Sequence, residues 1–156
     1  MGLNKNVTAR THETSRDSLG RWSWAQVAGR KIPLTVIQLY VPGSTSAKGL
    51  KTSYAQQYEQ LQDQGKLNPD VMAIYYEDLH TLLETHSGHN VIVMGDFNEG
   101  PEGKHILDLL SRHNLRDAFS HHHPGVEFNT QKKGSKRIDL MLVSAPLLPE
   151  VKHIGY

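Results

Sequence analysis

The run from Val91 to Asn98 is the feature that most constrains how this chain can fold. It reads Val-Ile-Val-Met-Gly-Asp-Phe-Asn, so four apolar residues are closed by a glycine and then by two polar residues. A short apolar run bounded by glycine is typical of a strand that is fully buried. We therefore expect an α/β fold in which Asp96 and Asn98 lie at the carboxyl end of this strand, where open α/β sheets place their ligand sites.

The spacing of Asp96 and Asn98 indicates a chemistry. Residues two apart in extended chain point to the same side, so the carboxylate and the amide are neighbours. A carboxylate can hold a metal ion or accept a proton from water, and an amide can donate to a phosphate oxygen. This pair suits phosphoryl transfer, which depends on positioning and charge neutralisation. The same residue types are also common in a solvated turn after a strand, and these letters alone leave both interpretations open.

Composition limits the classes of protein that the chain can belong to. Its 156 residues suit one domain. Lys and Arg number 17 against 16 Asp and Glu, so nucleic-acid binding would need a local basic patch. The absence of cysteine excludes disulfides, thiolate metal sites and a cysteine nucleophile. The polar segment 1–18 is unlike a signal peptide, and no segment is long enough to span a bilayer, so we expect a soluble protein with a cytoplasmic or nuclear location.

Local patterns predict a mixed order of strands and helices. Residues 22–27 and 31–41 form an antiparallel hairpin around Gly29 and Arg30 in this prediction. The further predicted strands are 91–95, 126–130, 138–143 and 151–154. Three helices are predicted. The first covers residues 52–64, with Thr52 or Ser53 as its N-cap. The second has Asn68 as N-cap, Pro69 at its first position and an apolar stripe that reaches Leu83, and the third runs from Pro101 to about Asn114.

A basic run, Lys132-Lys133-Gly134-Ser135-Lys136-Arg137, precedes the predicted strand that contains Asp139. Such a run is usually a solvated loop, but Lys136 and Arg137 are candidates for contacts with substrate phosphate. Asp139 is costly within an apolar strand unless it is paired with a cation, a histidine or a metal. An ion pair with Arg137 would satisfy it equally well.

The three consecutive histidines, His121 to His123, are a weaker candidate for a metal site. Consecutive residues in a regular strand or helix cannot all converge on one ion, and Pro124-Gly125 marks a turn. We therefore predict a surface loop there, and the sequence does not identify the ligands of a metal.

Several motifs occur in an order that resembles the endonuclease/exonuclease/phosphatase superfamily, which includes exonuclease III-like abasic-site endonucleases and retrotransposon-type endonucleases. The motifs are Leu39-Tyr40-Val41-Pro42, Gly95-Asp96-Phe97-Asn98 and Arg137-Ile138-Asp139-Leu140, supported by Asp117-Ala118-Phe119 and by the lead-in from Asp17 to Trp22. The resemblance covers residues 17–156. It implies an α/β fold of DNase I type, a two-sheet sandwich flanked by helices, with residues 1–156 forming a single incomplete domain.

The resemblance also implies a role for each matching residue. Asp96 would orient or deprotonate the attacking water, Asn98 would hold the scissile phosphate or that water, and Tyr40 would contact the phosphate. Asp139 would hold the ring of a catalytic histidine in the correct tautomer. Mg²⁺ would be the metal, and nucleic acid the partner, with DNA favoured over RNA. The alternatives are an inositol or lipid phosphatase of the same superfamily, and a catalytically dead remnant that at most binds nucleic acid.

Two residues that the superfamily supplies have no counterpart in this sequence. Glu13 lies too close to the lead-in to be the early metal-binding glutamate, and His153 is not preceded by the Ser-Asp of the late catalytic segment. Gly43 stands where abasic-site endonucleases have asparagine. We therefore expect a domain truncated at both ends, with little activity alone. Self-association through exposed sheet edges is expected, and no obligate protein partner is indicated.

Overall fold

The computed structural model describes residues 5–43, 52–130 and 136–155. Its strands are β1 (Thr11–Arg16), β2 (Trp22–Val27), β3 (Leu34–Tyr40), β4 (Asn90–Asp96), β5 (Leu115–Asp117) and β6 (Asp139–Ser144). Its helices are α1 (Lys5–Thr8), α2 (Ser53–Asp63), α3 (Val71–Thr85), α4 (Lys104–Arg112) and α5 (Ala118–His122), followed by a 3-10 helix at Ala145–Glu150. The fold is α/β, as the sequence predicts.

The six strands form one sheet in the order β1-β2-β3-β4-β6-β5. Among these six described strands, only β3 and β4 pair in parallel. Their connection crosses over through α2 and α3, because parallel neighbours cannot be joined by a tight turn. The predicted β2–β3 hairpin is confirmed, with Trp22 opposite Leu39 and Val27 opposite Leu34.

A second sheet is not found among the described residues. The segments 126–130 and 151–154, predicted as strands, are irregular there. Val126 and Phe128 are exposed, so the first segment does not bury the side chains on which the strand prediction rested. The described part of the chain therefore forms one layer of strands with its helices rather than a complete sandwich.

The core lies between one face of the sheet and helices α3 and α4. Its largest fully buried side chains include Ile37, Tyr75, Leu79, Ile106 and Leu142. On the opposite face a smaller cluster joins α5, β6 and the 3-10 helix through Ala118, Val143 and Leu148. The apolar periodicity of α3 and α4 thus covers the sheet, which leaves the strand ends to carry polar residues.

Two helix starts differ from the prediction. The N-cap of α3 is Asp70, whose carboxylate accepts from the N–H groups of Met72 and Ala73. Asn68 has a φ of 47°, so it belongs to the preceding turn. Helix α4 begins at Lys104 rather than Pro101, because a turn closed by Gly103 N–H and the Gly100 carbonyl comes first.

The sequence prediction missed β1, β5 and α5. Strand β1 reads Thr-His-Glu-Thr-Ser-Arg and is almost entirely exposed, so it lacks the apolar alternation that identifies strands. Helix α5 includes His121 and His122, which we predicted to lie in a loop. It forms because the Asp117 side chain caps it through Phe119 N–H.

The sheet edges are a polar strand and a strand of three residues, β1 and β5. Both features discourage edge-to-edge pairing, and self-association stays a prediction. Among the described residues, no helix combines the length and the apolar character that a membrane span requires.

Candidate active site at the ends of β3 and β4

Tyr40, Asp96 and Asp139 occupy directly opposed positions on three neighbouring strands. Tyr40 pairs with Asp96 in the parallel ladder, and Asp96 pairs with Asp139 in the antiparallel ladder. Directly opposed residues project from the same face of a sheet. Residues as far apart in sequence as Tyr40 and Asp139 therefore meet where β3 and β4 end and β6 begins.

Asn98 joins this group through the turn that follows β4. Its φ of 49° is left-handed, and its backbone N–H donates to Asp96 Oδ1 at 2.8 Å. Its side-chain Nδ2 donates to the Val41 carbonyl at 2.6 Å, which fixes the amide against the end of β3. The amide has a second N–H that can donate to a phosphate oxygen. The structure thus brings together all four residues that the sequence predicts as catalytic.

Gly95 allows the parallel strands β3 and β4 to approach each other closely at this end of the sheet. Its φ is 144°, a value that other residues rarely adopt, and a Cβ atom there would lie 2.0 Å from the Leu39 carbonyl oxygen. A side chain at position 95 would push β3 away from β4. The glycine before Asp96 is therefore part of the site geometry.

The Asp96–Asp139 pair places two carboxylates side by side. Phe97 N–H donates to the Ile138 carbonyl at 2.8 Å, so the neighbouring Asp96–Asp139 pair is a non-hydrogen-bonded one, in which side chains approach more closely. Burial raises the pKa of the Asp96 carboxyl above its ordinary value, the Asn98 N–H opposes this, and the Asp139 carboxylate raises the pKa further. A proton or a bound cation would relieve the repulsion between the two groups.

Mg²⁺ fits this pair of carboxylates. It is usually bound by one or two protein carboxylates together with substrate phosphates and retained waters. Asp96 and Asp139 would hold it here. Across residues 5–43, 52–130 and 136–155, no group of three or more His, Asp or Glu side chains is placed where it could hold a metal ion. At a site with two carboxylates, substrate phosphate and water would supply the other ligands.

Comparison with solved structures assigns the fold. No protein-family model and no curated protein matches the sequence. The AP endonuclease LMAP from Leishmania major superposes over 93% of this chain with a TM-score of 0.56 and 17% sequence identity. A humanized TDP2 from D. rerio superposes over 86% of the chain with a TM-score of 0.50 and 13% identity. The chain has a DNase I-like fold. It spans about half of each, 56% of the LMAP chain and 52% of the TDP2 chain.

Within the DNase I-like fold, Arg137 has a structural environment. Its guanidinium is bound to the Asp117 carboxylate through both terminal nitrogens, with Nη1 at 3.1 Å from Oδ1, and Nη2 also donates to Ser120 Oγ at 2.9 Å. It lies over the Phe119 ring at 4.9 Å, and the residue is only 7% exposed. Arg137 therefore forms an internal ion pair rather than the exposed phosphate contact that the sequence predicts.

Lys136 is exposed and lines a cleft that includes Glu99, the residue after Asn98, but none of the four site residues themselves. The cleft has a volume of about 600 Å³ and is lined by residues 99–103 and 125–129 with Lys136 and Arg137. It begins one residue after Asn98, and its apolar part is formed by Val126 and Phe128, which are 55% and 42% exposed. Lys132 and Lys133, the other predicted basic residues, lie outside the described residues.

The sequence analysis missed Glu99, which lines this cleft. Its carboxylate bonds to His105 Nδ1 at 2.9 Å, and the His105 ring stacks on Tyr76 at 4.2 Å between centroids. The side chain of Glu99 crosses Gly103, where a Cβ atom would lie 2.1 Å from Glu99 Cγ. The position directly after Asn98 is the only sequence signal that could have drawn attention to Glu99.

Proposed function

We propose that this chain carries part of a magnesium-dependent site that hydrolyses phosphodiester bonds in nucleic acid, namely the carboxylates Asp96 and Asp139 and the amide of Asn98. The observation that carries the proposal is the alignment of Tyr40, Asp96 and Asp139 across three strands, with Asn98 bonded to both strand ends. Two adjacent carboxylates next to amide and phenol donors suit an anionic phosphodiester only if a cation lies between them.

Each residue has a role that its surroundings support. Bound Mg²⁺ would neutralise charge on the phosphate and polarise its oxygens. Asp96, which would also bind the cation, would orient the attacking water or accept its proton. The second N–H of the Asn98 amide and the Tyr40 hydroxyl donate to the phosphate, and Tyr40 is 46% exposed and accessible to it. Asp139 lies opposite Asp96 and helps to bind the cation.

The cleft next to the site favours a nucleic-acid strand over an inositol phosphate. Exposed Val126 and Phe128 can contact the face of a base, and Lys136 can contact a backbone phosphate. DNA is the form of nucleic acid that we propose first.

Nicking of supercoiled plasmid tests the proposed function. Wild-type protein, Asp96→Asn and the control Asp63→Asn, which changes an exposed residue at the end of α2, are incubated at protein excess with Mg²⁺ or EDTA. We expect slow nicking that requires Mg²⁺ and falls about 100-fold or more in Asp96→Asn, because catalytic groups act together. Asp63→Asn retains the wild-type rate.

The outcomes separate the alternatives. If wild-type protein and Asp96→Asn are both folded and nick plasmid at the same background rate, the chain is a catalytically dead remnant. Hydrolysis of inositol phosphates but not of plasmid, again dependent on Asp96, would identify the phosphatase.

A further inference from the structure

Thr130 makes contacts at the start of β6 that no element of the sheet supplies. Its hydroxyl oxygen accepts hydrogen bonds from two consecutive backbone N–H groups, Ile138 at 3.0 Å and Asp139 at 3.1 Å. Its own N–H donates to the Lys136 carbonyl at 3.3 Å. Thr130 thus ties the chain before residues 131–135 to the chain that follows them.

The length of β5 explains why the Asp139 N–H needs an acceptor from outside the sheet. Strand β5 pairs with β6 only from Ser144 back to Leu142, opposite Asp117. Asp139 lies beyond that point, so β5 offers its N–H no carbonyl. Because backbone N–H groups that are withdrawn from water generally find an acceptor, the Thr130 hydroxyl takes the place of the missing strand residue for this part-buried N–H and binds the Ile138 N–H as well.

The backbone next to Asp139 is therefore held from both sides. On one side Phe97 N–H donates to the Ile138 carbonyl at 2.8 Å, which ties β6 to the end of β4. On the other side Thr130 holds the two N–H groups. The carboxylate of Asp139 projects from the residue that these contacts fix, directly opposite Asp96.

We propose that Thr130 is a positioning residue, whose hydroxyl fixes the start of β6 and thereby the Asp139 carboxylate opposite Asp96. The catalytic consequence rests on the proposed function, whereas the hold on the backbone does not. Valine has nearly the shape of threonine but no acceptor, so Thr130→Val leaves two N–H groups without their partner. Serine keeps the hydroxyl and should restore the hold.

The test compares wild type, Thr130→Val, Thr130→Ser and the control Thr35→Val by amide hydrogen exchange. Thr35 is fully buried and bonds to His89 Nδ1 at 2.8 Å, so its substitution removes a hydroxyl contact at the opposite end of β3. We expect the Ile138 and Asp139 amides to exchange about tenfold faster in Thr130→Val, measured against the slowest-exchanging core amides of the same protein. Thr130→Ser and Thr35→Val should show the wild-type ratio.

Plasmid nicking by the same proteins is the second readout. We expect kcat to fall about tenfold in Thr130→Val with KM within about twofold of wild type, and Thr130→Ser to recover most of the loss. Unchanged exchange at Ile138 and Asp139 in Thr130→Val would overturn the inference. Faster exchange with an unchanged kcat would overturn the positioning role. If wild type hydrolyses no phosphodiester, the proposed function fails, and the exchange data still decide whether Thr130 holds Asp139.

Discussion

Two aspartates of this molecule have opposite electrostatic surroundings. Asp117 lies at the end of β5, paired with the Arg137 guanidinium, and both side chains are only 6% exposed. Asp96 lies at the end of β4 and faces a second carboxylate, Asp139, with both residues partly exposed. One site brings opposite charges together in the interior, and the other brings like charges together at an open edge.

The difference distinguishes a stabilising ion pair from the pair of carboxylates at the candidate site. A buried carboxylate is tolerated in the fold because a cation and further hydrogen bonds satisfy it. Two carboxylates at adjacent positions cost stability unless a ligand neutralises them. Stability alone explains the Asp117–Arg137 pair, whereas the Asp96–Asp139 pair is the one to which we assign the cation and the anionic substrate of the proposed function.

Breaking the buried pair gives the largest expected effect. Arg137→Met keeps the length of the side chain but leaves Asp117 buried without its cation, and should cost about 3–5 kcal/mol of unfolding free energy. Urea unfolding measures the loss. Arg112→Met is the matched control, because Arg112 is half exposed and lies 3.6 Å from both Glu84 and Asp108. It should cost less than about 1 kcal/mol, and equal losses for the two variants would contradict the comparison.

Removing one charge from the Asp96–Asp139 pair should have a smaller effect on stability, and of opposite sign: the variant should be slightly more stable. Asp139→Asn eliminates a carboxylate that raises the pKa of Asp96, so the pKa of Asp96 should fall. An acid whose pKa is raised on folding lowers stability above its folded pKa and has no such effect below its unfolded pKa. Asp139→Asn should therefore raise the free energy of unfolding by less than about 1 kcal/mol at pH 7 and leave it unchanged near pH 3.

Carbon-13 NMR titration of the Asp96 carboxyl measures this shift directly, and urea unfolding at the two pH values measures the stability. Asp63→Asn, an exposed change remote from the sheet edge, provides the control. An unchanged titration of Asp96 in Asp139→Asn would show that the two carboxylates do not interact.

The sequence pointed to the residues of the Asp96–Asp139 site more readily than to the buried Asp117–Arg137 pair. Asp96 and Asn98 follow an apolar run directly, whereas Tyr40 and the role of Asp139 came from the order of several motifs and the family resemblance. Their catalytic roles stay predictions. The partner of Arg137 is twenty residues away, and only the pairing of β5 with β6 brings Asp117 to it. A basic run looked like a solvated loop because sequence alone cannot show which of its members turns inward.

The same limit explains the other differences. Strand β1 is polar because it lies at a sheet edge, so its sequence carries no burial signal. Asn68 and Asp70 are both good capping residues, and the left-handed backbone at Asn68 decided between them. Thr130 contacts Lys136, Ile138 and Asp139, which follow it by six to nine positions, and a lone threonine carries no pattern that predicts this.

The most direct test of the site is paramagnetic broadening by Mn²⁺, which substitutes for Mg²⁺, in amide spectra of wild type and Asp96→Asn. At substoichiometric Mn²⁺, we predict that broadening centres on the amides of Tyr40, Asp96, Asn98 and Asp139. Excess Mg²⁺ should reverse it, and Asp96→Asn should lose it. Broadening that is absent from this edge, or that persists unchanged in Asp96→Asn, would contradict the proposal that the two carboxylates form a cation-dependent active site.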